Sequence, residues 1–306
     1  MNVLTACQDP GGCNSIAPVA AALAARGERV GNTIADPDIV LLGTSGGPSI
    51  EKEATVRWRG VVPTVAVLDF WSNYWQRFSG PGGKDFRYLP DMVCVMDDIA
   101  RDEMLAEGFP PERLAVTGNP HFDHFADGVT REGEDPRRIL FISQPIRLDG
   151  ALPGFVAPAV DEYALLDALL AALPPGHMLS IRLHPRDIRD KYDRYLNSRV
   201  SVAQEATLEE ALSHSGLVIG PATPVLMQAA AAGKKSLCYE PALAGPDTLV
   251  SNRAGVTVRI DSPQALQSAL AAYAAGEWPF KTRPMREVWP VGATGRVVDI
   301  VQSLVK

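Results

Sequence analysis

The sequence is short of cysteine, of long apolar runs and of positive charge, and each shortage closes off a class of protein. Its four cysteines (Cys7, Cys13, Cys94 and Cys238) are too few and too scattered for a disulfide framework or a CxxC metal knuckle. Three of them lie in apolar or strand-like runs, where a reduced, buried thiol is the ordinary reading. No stretch approaches the roughly 18 uninterrupted apolar residues of a transmembrane helix. The opening MNVLTACQDP has no basic segment leading into an apolar one, so no secretory signal is read and a cytoplasmic setting is expected. Acidic residues outnumber basic ones by 36 to 29, a net charge of -7, which argues against a nucleic-acid partner. What remains is a soluble globular composition, 46% hydrophobic and 21% charged over 306 residues, enough for one large domain or two ordinary ones.

Short β-branched runs alternate with longer Ala/Leu-rich runs, the pattern of parallel strands flanked by helices. Strands are expected at Asn2–Cys7, Ile39–Gly43, Thr64–Leu68, Met92–Met96 and Arg113–Thr117. The helices between them are Ser15–Arg26, Ser49–Trp58 and Ile99–Glu107. Gly128–Arg138 is charged, poor in apolar residues and broken by Gly and Pro, and reads as a linker. The alternation then restarts with strands at Ile139–Ser143, Met178–Leu183, Val200–Ala203, Leu217–Gly220 and Ser236–Tyr239. Helices are expected at Val160–Leu173, Arg186–Leu196, Leu208–Ser213, Pro224–Ala232, Pro263–Ala275 and Gly295–Leu304. The expected architecture is α/β, two doubly wound domains at 1–127 and 139–306, with the last helix free to return to the first domain. Ligands of such folds sit at the carboxyl ends of the strands, so the residues after each strand are the ones to inspect.

The turn Gln8–Asn14 has neither the GxGxxG nor the GxxxxGK[ST] spacing. Gly11 and Gly12 nevertheless let a ligand approach the backbone ahead of a helix N-terminus. Asp9 is placed either to accept a proton or to cap the turn. After the third predicted strand, Leu68–Phe78 gathers five aromatic residues beside Asp69, Asn73 and Arg77. That loop, with Trp71, suits either a sugar or base contact or a packed flap. Asn119-Pro120-His121-Phe122-Asp123-His124 lacks any common zinc spacing, which leaves His121 as a cleft contact and no metal site.

The second half carries the sharper signal. Its second strand ends in Arg182-Leu183-His184-Pro185, a histidine at a strand terminus with proline opening a helix, suited to a phosphate. Gly220-Pro221-Ala222-Thr223-Pro224 leads from a strand into a helix and offers N–H groups and a hydroxyl to an anion. Ser143-Gln144-Pro145 is the third turn on this edge.

The stretch DMVCVMDDIARDEMLAEGFPPERLAVTGNPHFD, Asp91–Asp123, resembles the region closing the first domain of GT-B glycosyltransferases. TLEEALSHSGLVIGPATPVLMQAAAAGKKSLCYEP, Thr207–Pro241, resembles their donor-binding half. His184-Pro185 is similar to the HP motif of bacterial sialyltransferases, Kdo transferases and CDP-glycerol glycerophosphotransferases, which meets the donor phosphate. The resemblance implies two Rossmann-like domains facing a central cleft. It further implies a metal-independent transfer from a nucleotide-activated sugar in glycan or glycoconjugate biosynthesis, with no cofactor and an acceptor the sequence does not identify. Asp9 would be the base and His184 the group at the leaving phosphate. Gly11, Gly12, Ser143, Pro185, Gly220, Thr223 and Gln228 would line the nucleotide, with Gln228 where such enzymes often carry a ribose-binding glutamate. Asp69, Trp71, Asn73, Arg77 and His121 would face the acceptor. The UDP-GlcNAc 2-epimerases share this architecture and supply a second expectation, an epimerase or hydrolase; a nucleotide-sugar sensor is a third. A homodimer is left open.

Overall fold

The computed structural model describes residues 1–123, 133–150, 160–241 and 247–305. The chain divides into two compact units, Met1–His124 with Trp289–Lys306, and Phe125–Val288.

The first unit is built on a parallel sheet of six strands: β1 (Asn2–Ala6), β2 (Arg29–Gly31), β3 (Ile39–Leu42), β4 (Thr64–Val67), β5 (Met92–Val95) and β6 (Leu114–Val116). Their spatial order is β2-β1-β3-β4-β5-β6. Every residue of β3 and β4 is buried, as befits parallel strands covered on both faces. The helix Pro10–Ala25 starts with proline in its first turn and lays Gly12, Ser15, Ile16, Val19 and Leu23 against the sheet at helical spacing.

The C-terminal helix Ala293–Leu304 is part of this unit, so the second unit ends at Val288 and not at the end of the chain. Val297, Val298 and Val301 are fully buried in one cluster with Val3, Ile16, Val19 and Leu23. Asp123 caps that helix, accepting the backbone N–H groups of Gly292 (2.9 Å) and Thr294 (2.8 Å). Its carboxylate is thereby committed to structure.

The second unit holds β7 (Asp135–Ile142), β8 (Met178–Arg182), β9 (Val200–Val202), β10 (Ser215–Gly220), β11 (Lys235–Tyr239) and β12 (Val258–Ile260). The sheet is again parallel, in the order β12-β11-β10-β7-β8-β9. Of the expected linker, residues 128–132 lie outside the described residues, whereas Asp135–Arg138 open the first strand of this unit. Edge strands β2 and β12, three residues each, were not anticipated from the sequence.

The helix expected at Arg186–Leu196 does not form. The segment is a run of turns with a single 3₁₀ turn at Asp193–Tyr195. Asp187 and Lys191, four apart and ready for an exposed helical pair, are instead drawn inward. Lys191 reaches Asp187 (2.6 Å) and Glu162 (2.9 Å), with all three side chains almost wholly buried.

Candidate functional site

In the first unit the chain leaves β1 for β2 on one side and for β3 on the other, so the turns after β1 and β3 diverge and open a crevice. Gly12 lets the first helix approach the turn after β3: a Cβ there would lie 3.2 Å from Thr44 N and 3.3 Å from Gly43 Cα. A Cβ on Gly11 would collide with Asp69 Oδ2. Both glycines are thus required by close approach of neighbouring groups.

Asp69 and Arg77 are brought together. Arg77 Nη1 donates to Asp69 Oδ1 and to Thr44 Oγ1, both at 2.8 Å, and the Thr44 hydroxyl donates to Asp69 Oδ1 at 2.9 Å. The pair is mostly buried, so the charge of Asp69 is matched within the protein. Asn119 binds this loop to the first helix, accepting from Ser15 Oγ (3.3 Å) and from the backbone of His121 (3.0 Å) and donating to Asp69 O (3.5 Å).

Asp9 stands at the N-cap of the first helix, is exposed, and makes no side-chain cap bond. Of the two sequence readings, the capping one therefore has no bond to support it. The turn bearing Asp9 is held from behind by Glu51, which accepts Gln8 N–H at 2.8 Å and the Ser45 hydroxyl at 2.9 Å. Glu51 is 3% exposed, and among the described residues its other oxygen has no hydrogen-bond partner. A glutamate in a first helical turn is ordinarily exposed, so the sequence gives no sign of this burial. Cys7, beside the same turn, is no nucleophile at neutral pH: burial, then the Cys13 thiol and Glu51, push its thiol up to about 12.

Trp71, expected to face the acceptor, is turned into the core. It is 5% exposed, stacks on Phe122, meets Trp289 edge-on and donates its indole N–H to Asp97 at 2.9 Å. Buried against Phe122 and Trp289, the indole has no exposed face for a sugar. Asn73 is exposed in a left-handed conformation (φ 54°) that asparagine tolerates, at the start of the short helix Tyr74–Phe78.

In the second unit the crevice lies between β7 and β10, whose following turns carry Ser143 and Thr223. Gly220 is needed where β10 meets β7, since a Cβ would lie 3.1 Å from Ile142 O. Thr223 caps the helix Pro224–Ala231, and Gln144 Nε2 donates to its hydroxyl oxygen at 3.1 Å, joining the two turns. Thr223 is 1% exposed, so its hydroxyl is held under the turn. Gln228 sits half-buried one turn further along the same helix.

Ser143 is corrected from ligand to support. It is 1% exposed, donates to Asp187 Oδ2 at 2.6 Å and lies 2.7 Å from the Tyr192 hydroxyl. Its hydroxyl is consumed inside the unit. Asp187 in turn accepts the backbone N–H of His184 at 2.9 Å. Burial works to raise the Asp187 carboxyl, but Lys191, the Ser143 hydroxyl and the His184 N–H outweigh it and hold it below the usual range. The same contacts keep Lys191 charged: burial opposes them, and Asp187 and Glu162 raise it above an ordinary lysine.

His184 rests on this buried support, half-exposed, with Pro185 and Arg186 exposed beyond it. Arg186 N–H donates to His184 Nδ1 at 3.1 Å, which assigns the neutral ring's proton to Nε2. No helix follows Pro185, so the helix-opening role expected for it falls away. The signal for Asp187 and Lys191 was present as DxxxK after the HP pair, but it reads equally well as a solvated helical pair.

One further acid was overlooked. Glu240 follows β11 and accepts the backbone N–H of Ala222, in the turn between Gly220 and Thr223. Burial first, and Asp247 second, raise its carboxyl above the usual range against that donor. Among the described residues no group of three or more His, Cys, Asp or Glu side chains is arranged to hold a metal, and no helix is long and apolar enough to cross a membrane.

No protein-family model matches the sequence, and no curated protein matches it significantly. Solved structures match along its full length. The UDP-GlcNAc 2-epimerase of Methanocaldococcus jannaschii superposes with a TM-score of 0.69 at 10% identity, over 99% of each chain. The UDP-GlcNAc 2-epimerase of Neisseria meningitidis, bound to UDP-GlcNAc, gives 0.65 at 14% identity over 99% of this chain and 100% of that one. MurG of Acinetobacter baumannii gives 0.56 at 13% identity over 98% of each. The two parallel-sheet units are those of the GT-B fold.

Proposed function

We propose that this chain is a nucleotide-sugar enzyme, and that it transfers the sugar to an acceptor hydroxyl without a metal or cofactor. In this reading the second unit takes the nucleotide. The turn Gly220–Thr223 lies against a phosphate, and His184 donates from Nε2 to the phosphate oxygen as the bond to the sugar breaks. Glu240, beside that turn, accepts from a donor hydroxyl. Asp9 takes the acceptor proton as its oxygen attacks the anomeric carbon.

The observation that carries the reading is the pair of turn residues, Asp9 and His184. One is an exposed carboxylate that spends nothing on capping its helix; the other is an imidazole whose Nδ1 accepts the Arg186 N–H. A binding module needs neither.

A second reading, epimerisation or hydrolysis of the nucleotide sugar, is favoured by the full-length likeness to UDP-GlcNAc 2-epimerases. A thermal-shift screen with UDP, GDP, CDP, CMP and dTDP selects the nucleotide, and product analysis of the matching sugar donor separates the readings. Turnover that requires an added acceptor supports transfer. An epimer or free sugar from donor alone supports the second reading. Binding without turnover in any acceptor mixture overturns both.

A further inference from the structure

A single buried ammonium ties together the turns that carry the candidate site of the second unit. Lys191 Nζ reaches Asp187 Oδ1 at 2.6 Å, Glu162 Oε1 at 2.9 Å, and Ser143 Oγ and Gln144 O, both at 3.3 Å. Its side chain is 6% exposed, with the rings of Tyr192 and Tyr163 centred 5.2 and 5.9 Å away. Three N–H groups are thus shared among four oxygens, and an uncharged side chain would leave two carboxylates without their cation.

None of these oxygens belongs to a strand. Ser143 and Gln144 follow β7, which ends at Ile142, and Asp187 follows β8, which ends at Arg182. Glu162 opens the helix Glu162–Ala172. Three of the four residues also pass the tie on. Asp187 Oδ2 accepts the His184 N–H at 2.9 Å, and Glu162 Oε2 accepts the Arg147 N–H at 2.9 Å. Gln144 Nε2 donates to Thr223 Oγ1 at 3.1 Å. The turns after β7, β8 and β10 are therefore joined through one side chain. Apolar residues of similar volume often stabilise a fold as well as a buried ionic network does, so what the lysine adds is a fixed arrangement of turns.

We infer that Lys191 is a positioning residue: it fixes the backbone of His184 against the Ser143–Gln144 turn and, through Gln144, against Thr223. The imidazole and the turn Gly220–Thr223 are thereby held in one arrangement toward a shared ligand. The role in turnover rests on the nucleotide-sugar reading; the tie between the turns does not.

Amide hydrogen exchange of the full chain, followed by NMR, tests the tie with no ligand present. In Lys191→Met the His184 N–H should exchange at least about tenfold faster than in wild type, with the amides of β7 and β10 unchanged. Should that variant fail to fold, Lys191→Met combined with Glu162→Gln removes the cation together with one acid and keeps the buried net charge. An unchanged His184 rate in a folded variant overturns the inference. So does an equal acceleration of the strand amides, which would assign Lys191 to global stability.

UDP-, GDP-, CDP-, dTDP- and CMP-linked sugars then probe turnover. Lys191→Met should slow nucleotide release on the order of tenfold and move the half-saturating donor concentration by less than about threefold. In a His184→Ala background the same substitution should slow release by less than about twofold, because it acts through the imidazole. Full additivity of the two losses overturns the positioning role. If wild type releases nucleotide from none of these donors, the nucleotide-sugar reading fails and the exchange rates alone decide the place of Lys191.

Discussion

The carboxylate of Asp97 accepts the indole N–H of Trp289 at 2.6 Å, joining residues 192 positions apart in the sequence. The same carboxylate accepts the indole N–H of Trp71 and, at 2.7 Å, the backbone N–H of Ala100. Asp97, Trp71 and Trp289 are 7%, 5% and 4% exposed, so no water replaces a lost bond. Asp97→Ala would leave two buried indole donors and a helix N-terminus unsatisfied, a loss of about 4 kcal/mol by summing typical values. Asp97→Asn, which keeps one acceptor oxygen, should lose roughly half of that. Urea denaturation followed by tryptophan fluorescence measures both. A Asp97→Ala midpoint equal to wild type would mean that Trp71 and Trp289 are held by packing alone.

The network under His184 makes stability depend on pH at both ends of the scale. Asp187 is held below the ordinary carboxyl value, so its contribution is present above that value and is lost as the pH falls through the lower folded one. Lys191 is held above the ordinary lysine value, so its contribution is present below that value and is lost as the pH rises through the higher folded one. Asp187→Asn should therefore melt at a lower temperature than wild type near pH 7. The gap should narrow as both are acidified below about pH 4, where the unfolded wild-type chain takes up a proton that the folded carboxylate still resists. Melting curves across pH check this, and a gap of constant size would show that Asp187 acts only through shape.

The strands were legible because parallel strands buried on both faces are written as unbroken apolar runs, as in Ile39–Leu42 and Leu217–Ile219. The turns after them were legible too, since Asp9, His184 and Gly220 need only the strand's end to be located. What the sequence hid was direction. Asp187 and Lys191 are spaced for an exposed helix, and only Ser143 and Glu162, distant in sequence, pull them inward. Trp71 sits in a loop of mixed aromatic and polar residues, and its burial depends on Phe122 and Trp289. Glu51 and Glu240 become notable only when Gln8 and Ala222 are found against them.

The two glycines of the first turn should fail differently. A Cβ on Gly12 meets backbone at 3.2 Å, which cannot swing aside, so Gly12→Ala should cost about 1–3 kcal/mol through forced separation of the helix and the turn after β3. A Cβ on Gly11 meets a carboxylate oxygen, which can rotate away at the expense of the Asp69–Arg77 pair. Gly11→Ala should therefore be milder, and its penalty should shrink in an Arg77→Ala background, where there is less to lose. A double-mutant cycle on melting free energies reads this coupling; strict additivity would mean that Asp69 does not move.

His184 carries the sharpest prediction for the proposed chemistry. With Arg186 N–H on Nδ1, the ring offers a proton at Nε2 even when neutral, so it stabilises a leaving phosphate without having to be protonated first. Nucleotide release from a sugar donor should then stay level through the pH range in which a free imidazole titrates, about 5.5 to 7.5. His184→Ala should slow it on the order of a hundredfold while raising the donor concentration for half-saturation only several-fold. Asp187→Asn loosens the support under the backbone of His184 and leaves the Arg186 N–H on the ring, so it should show a smaller loss in rate with the level pH profile kept. A raised half-saturation concentration with an unchanged rate for His184→Ala would assign the histidine to binding alone, and a wild-type rate that falls as the ring deprotonates would require imidazolium as the working form.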